Sequence, residues 1–474
     1  HFQRSLAEII SMDLQFPSIT EASAAIKTKK VSPVEITQRC LDHAELVQEK
    51  INPFVVLLGE QALATARQAE TEIMKGDYRG ELHGIPLVIK DLCDMEGLPT
   101  TASSEVRFDH VAKDNAACVD KLINAGAIII GKTHTHEFAY GIITPKTRNP
   151  WDETRIPGGS SGGTAAAVAS GACLGGIGTD TGGSIRIPAS LCGTVGLKPT
   201  FGRVSRYGVT SLSWSLDHVG PLTRSVEDAA IMLGALAGFD PRDPGCVNLP
   251  VPNYMPTDNN ILKGLRVGVP ANYYFDAIDP EVEAIVREAY LTLERQGAYL
   301  ETVNLPLAEH YMGVEFGLCL PEASAYHQEM LRERADRYED DVRTFLEAGE
   351  LVPATDYIKA LRVREVIKQS WQKLYERIDV LAAPTTPSTA AKVGQEAFTW
   401  PDGNEESVTS AYVRLSCPAN LTGLPSISVP CGFSTENLPV GMQILGRPFE
   451  EQMIVDVANA YQFVTDWRSQ SPDI

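Results

Sequence analysis

Pro157-Gly158-Gly159-Ser160-Ser161-Gly162-Gly163-Thr164, followed closely by Gly178-Thr179-Asp180-Thr181-Gly182-Gly183-Ser184-Ile185-Arg186-Ile187-Pro188, is the passage on which the reading of this chain turns. Two glycine-dense loops, each bearing serine, are separated by a small-residue helix expected at residues 164–172 and by one short strand. Either loop alone reads as flexible punctuation. Together they read as a site, because a lysine closes an upstream strand. That lysine ends Gly84-Ile85-Pro86-Leu87-Val88-Ile89-Lys90-Asp91, a short buried strand, and α/β proteins commonly build sites at strand ends.

Working outward, the rest of the chain alternates helix and strand. Ser32-Pro33-Val34-Glu35 forms a capping box with proline at the first helical position, and Ile36, Cys40, Leu41, Ala44 and Val47 then share one face, so a helix is expected over residues 32–50. An alanine-rich helix follows at 60–75. A helix and an apolar strand alternate over 116–131, and the rhythm continues at 265–269, 279–295, 299–303, 379–383, 426–429 and 440–445. The expected fold class is α/β, one large domain over 1–474 with a central mixed, twisted sheet surrounded by helices. Within it we distinguish an N-terminal helical part (1–80), a catalytic core (81–304), a helical cap insertion (305–378) where strands are absent, and a C-terminal part of the core (379–474). No internal repeat, low-complexity tract or Pro/Ser linker divides two independent domains.

Composition bounds the function. With 474 residues, 43% hydrophobic and 22% charged, the chain can bury a sizeable core. Its 41 Lys and Arg stand against 61 Asp and Glu, a net charge of −20, and no basic stripe is present to displace counterions from phosphates. Nucleic acid is therefore excluded as a direct partner. Nine cysteines are scattered and never form C-x-x-C, which suits reduced, packed thiols in a cytoplasmic protein and implies no metal site. No apolar stretch approaches the roughly 18 residues that cross a bilayer. Residues 1–10 also lack the basic-then-apolar order of a signal peptide, so no membrane partner is expected.

Three tempting motifs fail on physical grounds. Gly126-Ala127-Ile128-Ile129-Ile130-Gly131-Lys132-Thr133 matches the phosphate-loop pattern letter for letter, yet its interior is an apolar run suited to a buried strand. His134 and His136 lack a third ligand at metal-binding spacing. Gly158-Gly159-Ser160-Ser161-Gly162 satisfies G-x-S-x-G, but a nucleophile elbow needs a strand just before it, and residues 149–157 are turn-rich. The Asp217-His218 pair that a serine relay would then require is adjacent on one loop, a poor arrangement for a triad.

The two loops and the Lys90 strand closely resemble the amidase-signature family. The likeness extends to Gly193-Thr194-Val195-Gly196-Leu197-Lys198-Pro199-Thr200 and Pro418-Ala419-Asn420-Leu421-Thr422-Gly423-Leu424-Pro425, and covers residues 20–465. The resemblance implies that Ser184 is the nucleophile, Ser160 the bridging serine behind a cis peptide bond, and Lys90 the base. It also implies an oxyanion nest from the backbone N–H groups of Thr181, Gly182, Gly183 and Ser184. The chemistry is coherent. A serine hydroxyl is a weak nucleophile until a neighbour takes its proton, and a lysine does so only when burial keeps it neutral. Ser160 would carry the proton between Lys90 and Ser184 and return it to the departing amine. Asp180 and Arg186 read as a supporting ion pair.

Within the family, Gly202-Arg203-Val204-Ser205-Arg206-Tyr207-Gly208 and Leu361-Arg362-Val363-Arg364 resemble the glutamine-hydrolysing component of the tRNA-dependent amidotransferase, which passes ammonia to a partner. The segment Ser410-Ala411-Tyr412-Val413-Arg414-Leu415-Ser416-Cys417, however, lacks the acidic residue expected to grip a glutamine α-amino group. The favoured reading is a stand-alone serine amidohydrolase for less polar small-molecule amides, with carbamates, aryl amides and esters within reach of the same acyl-enzyme chemistry. Glutamine hydrolysis within an amidotransferase is the alternative, and a lower one is a partner-dependent or non-catalytic protein of this fold. Phe138, Ala139, Tyr140, Gly158, Gly159 and Trp214 are the expected substrate-binding positions. No cofactor and no metal are called for, and a homodimer is compatible with this reading.

Overall fold

Ser32 caps the helix Pro33–Ile51 from both sides: its hydroxyl accepts from the backbone at the helix start, while the Glu35 side chain accepts from the Ser32 N–H. The capping box therefore forms as its spacing requires. The computed structural model describes residues 18–257 and 260–474, so the reading of residues 1–10 lies outside them. Among the described residues no helix is long and apolar enough to cross a membrane.

The strands are β1 (Phe54–Leu57), β2 (Pro86–Lys90), β3 (Ile128–Thr133), β4 (Gly175–Asp180), β5 (Val195–Lys198), β6 (His218–Thr223), β7 (Arg266–Pro270), β8 (Tyr299–Val303), β9 (Val380–Pro384), β10 (Ala397–Thr399), β11 (Glu405–Ser407), β12 (Ser426–Phe433) and β13 (Pro439–Leu445). Eleven of them form one sheet in the order β1-β3-β2-β4-β6-β5-β12-β13-β9-β7-β8, and β10 and β11 make a separate hairpin. The sheet is mixed. β2 runs parallel to β3 and β4, and β7 parallel to β8 and β9, whereas the strands between these two groups pair antiparallel. The fold is thus the α/β single domain expected from the alternation.

Side-chain alternation along the strands separates two cores. On β9, Val380 and Ala382 enter one apolar cluster and Leu381 and Ala383 the other, as the period of two dictates. The second cluster contains Leu318, Leu346 and Ile367, from the helices Tyr311–Arg334, Asp340–Glu350 and Ala354–Leu374. Among the described residues no strand interrupts the chain between Val303 and Val380, and Trp371 Nε1 donates to Tyr311 Oη at 2.9 Å to tie two of these helices together.

Within the Gly126–Thr133 passage, Ile128–Thr133 is the buried strand β3, and the passage is not a phosphate loop. Lys132 at its end meets Asp91 at 2.8 Å with both groups buried. The helix expected at 164–172 starts and ends earlier, as Gly162–Ala169, and all eight of its residues are buried. Its small side chains let it lie against the glycines of β4: a Cβ on Gly176 would stand 2.6 Å from Thr164 Cγ2 and from Val88 Cγ2. β6 carries Gly220 and Pro221, residues that speak against a strand. It forms nonetheless, and its pairing with β5 reaches only Gly196↔Leu222, the step before Pro221.

Candidate active site

Lys90 ends β2 with its ammonium fully buried. Its Nζ lies 2.7 Å from Ser160 Oγ, 2.9 Å from Ser161 Oγ and 2.8 Å from Thr179 Oγ1. Burial lowers its pKa to about 7, against the pull of Cys93, Asp180 and Asp217, which favour the charged form. A lysine in this setting is neutral in a large fraction of molecules near neutrality and can accept a proton.

The two serines beside it are not equivalent. Ser161 Oγ–H donates to the Thr179 carbonyl at 3.2 Å, and its oxygen accepts from the Thr179 N–H at 3.2 Å. Ser161 is therefore fixed as an acceptor toward Lys90. Ser160 Oγ has only the Lys90 contact among the described residues, which leaves its proton free to move. Its loop is held from behind: the Ser160 carbonyl accepts from the His136 N–H at 3.0 Å and from Thr144 Oγ1 at 3.2 Å, and the Gly159–Ser160 peptide bond is cis.

The second loop is built on a buried ion pair. Arg186 donates through Nε and Nη2 to both oxygens of Asp180 at 3.0 Å, and through Nη1 and Nη2 to Gln443 Oε1 and Asn420 Oδ1. Asn420 Nδ2 returns a bond to Asp180 Oδ1 at 2.8 Å. Burial works against the charged Asp180, yet Arg186, Lys198 and the Asn420 amide hold its carboxyl below the usual range. Asp180 in turn accepts from the Gly183 and Ile185 N–H groups, shaping the turn that carries Ser184. Gly183 has φ +122 and a Cβ there would lie 2.4 Å from Ser416 Cβ, so the turn admits only glycine. Of the four N–H groups expected to face an oxyanion, that of Gly183 is thus engaged by Asp180. Those of Thr181, Gly182 and Ser184 have no protein acceptor among the described residues. The loops are joined where the Ser161 N–H donates to the Ser184 carbonyl at 3.2 Å.

Asp180→Ala would leave Arg186 buried beside no carboxylate. The expected loss of stability is about 3–5 kcal/mol, read from the denaturant midpoint, and an unchanged midpoint would show that the pair does not hold the turn.

Ser184 opens on a cavity lined by Ala139, Tyr140, Thr181 and Gly182, with Ile142, Leu212 and Val413 among its apolar walls. Ala139 and Tyr140 thus lie on the same cavity as Ser184. Phe138, Gly158, Gly159 and Trp214 lie elsewhere. Phe138 is wholly buried: its left-handed backbone, φ 51, turns the ring into the core, edge-on to His327 at 4.4 Å. Gly158 and Gly159 are packing positions behind the site, a Cβ on Gly159 standing 2.8 Å from the Ile142 carbonyl carbon. Trp214 is 57% exposed and lines a neighbouring cavity of about 200 Å³ with Thr179, Thr181 and Asp217. Asp217 is held by Thr181 Oγ1 at 2.6 Å, and His218 Nδ1 by backbone oxygens, so the pair forms no relay. His134 meets Ser103 Oγ and His136 meets Asp341, which accounts for both imidazoles.

Sequence reading missed Glu315, Phe316 and Cys319 on one helix, Phe345 on the next, and Thr409 and Val413 on Val408–Thr422, all of which line the Ser184 cavity. Their spacing is that of ordinary amphipathic helices, and only the tertiary fold brings them to Ser184. Ser161 and Thr179 lay in plain view within the two loops, without a signal that singled them out.

Comparison with known proteins agrees with this geometry. A family model described as Amidase matches residues 35–455. An amidase of Pseudomonas putida is 49% identical over 458 residues, covering 96% of this chain and 98% of its own length. A glutamyl-tRNA(Gln) amidotransferase component of Roseiflexus castenholzii is 39% identical, covering 96% of this chain and 97% of its own. A crystal structure of an amidase superposes with a TM-score of 0.86 at 32% identity, covering 95% of this chain and all of that one.

Proposed function

The chain belongs to the amidase family, and on that premise we propose that it cleaves small-molecule amides through an acyl-enzyme on Ser184, with Lys90 as base and Ser160 as proton carrier. It is a hydrolase of carbon–nitrogen bonds in amides. In the proposed path Ser184 Oγ attacks the carbonyl, and its proton passes to Ser160 as the Ser160 proton passes to neutral Lys90. The tetrahedral oxyanion is met by the N–H groups of Thr181, Gly182 and Ser184. Lys90 then returns the proton through Ser160 to the nitrogen, the C–N bond breaks, and water releases the acid by the same route. The observation that carries this reading is the desolvated Lys90 amine, 2.7 Å from a Ser160 hydroxyl with no other partner among the described residues.

The apolar walls favour amides with an apolar acyl part, and carbamates share the same acyl transfer. Likeness to the amidotransferase component supports glutamine hydrolysis as a second reading. Against it, Val408–Thr422 offers the cavity Thr409 and Val413 and no charged group. A fluorophosphonate should add once to the intact protein, with the adduct mapped to Ser184, and the purified chain should turn over simple amides unaided. An adduct on Ser160 alone would sink the proposed roles, and turnover confined to glutamine in the presence of a partner would favour the second reading.

A further inference from the structure

The loop that carries Trp214 is clamped on both sides of that residue. Ser213 Oγ and the Ser215 N–H donate to Glu322 Oε2 at 2.5 and 3.1 Å, Arg364 Nη2 donates to the Ser215 carbonyl at 3.0 Å, and Arg206 Nη1 donates to the carbonyl of Trp214 itself. The indole alone is left over: Trp214 is 57% exposed, and its ring makes no hydrogen bond or ring contact among the described residues. It lines the cavity of about 200 Å³ beside the Ser184 cavity, and the two share Ala139, Thr181 and Leu212 as walls. The second cavity also reaches Thr179, whose Oγ1 is 2.8 Å from Lys90 Nζ.

A scissile amide has two halves, and the two cavities divide them. The apolar Ser184 cavity takes the acyl half. The nitrogen must face the proton that Lys90 and Ser160 return to it, so the amine half extends on the Lys90 side, where the second cavity lies. The charged walls of that cavity are already paired. Asp217 accepts from Thr181 Oγ1, Ser211 Oγ and the Leu212 and Ser213 N–H groups, Arg206 donates to Asp243, and Arg242 donates to Asp240. His218 donates through Nδ1 to the Leu216 carbonyl at 2.6 Å, and its Nε2, without a partner among the described residues, is an uncharged acceptor. No wall thus holds a spare charge for an ionic amine, whereas Trp214, Tyr207, Val209 and Leu212 present rings and apolar carbon. An unstacked indole gains most from a flat ring laid against it.

We propose that the second cavity receives the amine half of the substrate and that Trp214 selects an uncharged aryl amine as the leaving group. This rests on the reading of Ser184 as nucleophile. Isovaleramide and isovaleranilide share the acyl half and differ on the amine side, so they form the test pair. The wild type should hydrolyse isovaleranilide, and Trp214→Ala should lower its kcat/KM roughly 10-fold while that of isovaleramide changes by less than about two-fold. Trp214→Phe, which keeps a ring, should retain most of the anilide activity. The reverse step gives a second reading. With p-nitrophenyl isovalerate as acyl donor, aniline should compete with water for the acyl-enzyme: its nitrogen bonds to the acyl carbon, the bond from that carbon to Ser184 Oγ breaks, and the aniline proton passes through Ser160 to Ser184 Oγ. The yield of isovaleranilide should saturate with aniline in the wild type and rise only in proportion to it in Trp214→Ala. Equal effects on both amides, or an aniline dependence that is the same in both proteins, would overturn the assignment. Absence of any Ser184 adduct with the fluorophosphonate in the wild type would count against the proposed nucleophile instead.

Discussion

Ser184→Ala should abolish the fluorophosphonate adduct and lower kcat/KM by on the order of 10⁴- to 10⁶-fold, while the denaturant midpoint stays near that of the wild type. The loss is expected to be this large because the nucleophile forms the covalent bond, and what remains is the cavity and the three N–H donors acting on water. Stability should hold because no side-chain hydrogen bond of Ser184 contributes to the fold among the described residues, whose link to this residue is through its backbone carbonyl. Ser160→Ala makes a useful contrast. It removes a proton carrier and leaves the nucleophile, so a loss of roughly 10²- to 10⁴-fold is expected with Ser184 still slowly labelled. If Ser184→Ala retained the adduct and Ser160→Ala lost it, the nucleophile would sit on the first loop and the proposed path would fail.

The unequal effects trace back to what each loop encodes locally. The capping box at Ser32, the strand ending at Lys90 and the two glycine loops could be read because each depends on residues within a few positions of one another. The central strands β5 and β6 could not. Val195–Lys198 is short and His218–Thr223 contains Gly220 and Pro221, so their place in the sheet follows from pairing with β4 and β12 and not from periodicity. The same division holds at the site. Lys90, Ser160 and Ser184 lie in motifs with an extended family likeness, whereas much of the cavity wall is drawn from the helices Tyr311–Arg334, Asp340–Glu350 and Val408–Thr422, where an apolar residue facing a substrate has the same spacing as one facing a core. Phe138 and Trp214 show the ambiguity. Both are aromatic residues near the loops in sequence, yet one turns into the core and the other lines the cavity that adjoins Ser184's. Glu315 was hidden for the opposite reason. A lone glutamate in a helix reads as a solvated position, and its lack of a hydrogen-bonding cation is visible only after folding.

Lys90→Met should cost on the order of 10³- to 10⁴-fold in kcat/KM and remove the pH dependence that the wild type shows near neutrality. The base acts when unprotonated. With its pKa lowered to about 7 by burial, wild-type kcat/KM should rise as pH increases through that value and then level off. A sharp optimum near pH 6 would contradict a lysine base, since a histidine or carboxylate would then be in control. Stability gives an independent reading of the same proton. In the unfolded chain the lysine titrates near its ordinary value of 10.5 and in the folded chain near about 7. Between these values the unfolded state binds more protons, and wild-type stability should therefore increase with pH across that window. Below it both states are protonated and the burial penalty is fully felt; above it both are neutral and the penalty vanishes. Lys90→Met keeps the volume of the side chain and abolishes the charge, so the difference between variant and wild type should shrink as pH rises from neutrality toward pH 10. Loss of activity without this convergence would mean that Lys90 is a charged structural residue, and the proton would have to leave Ser160 by another path.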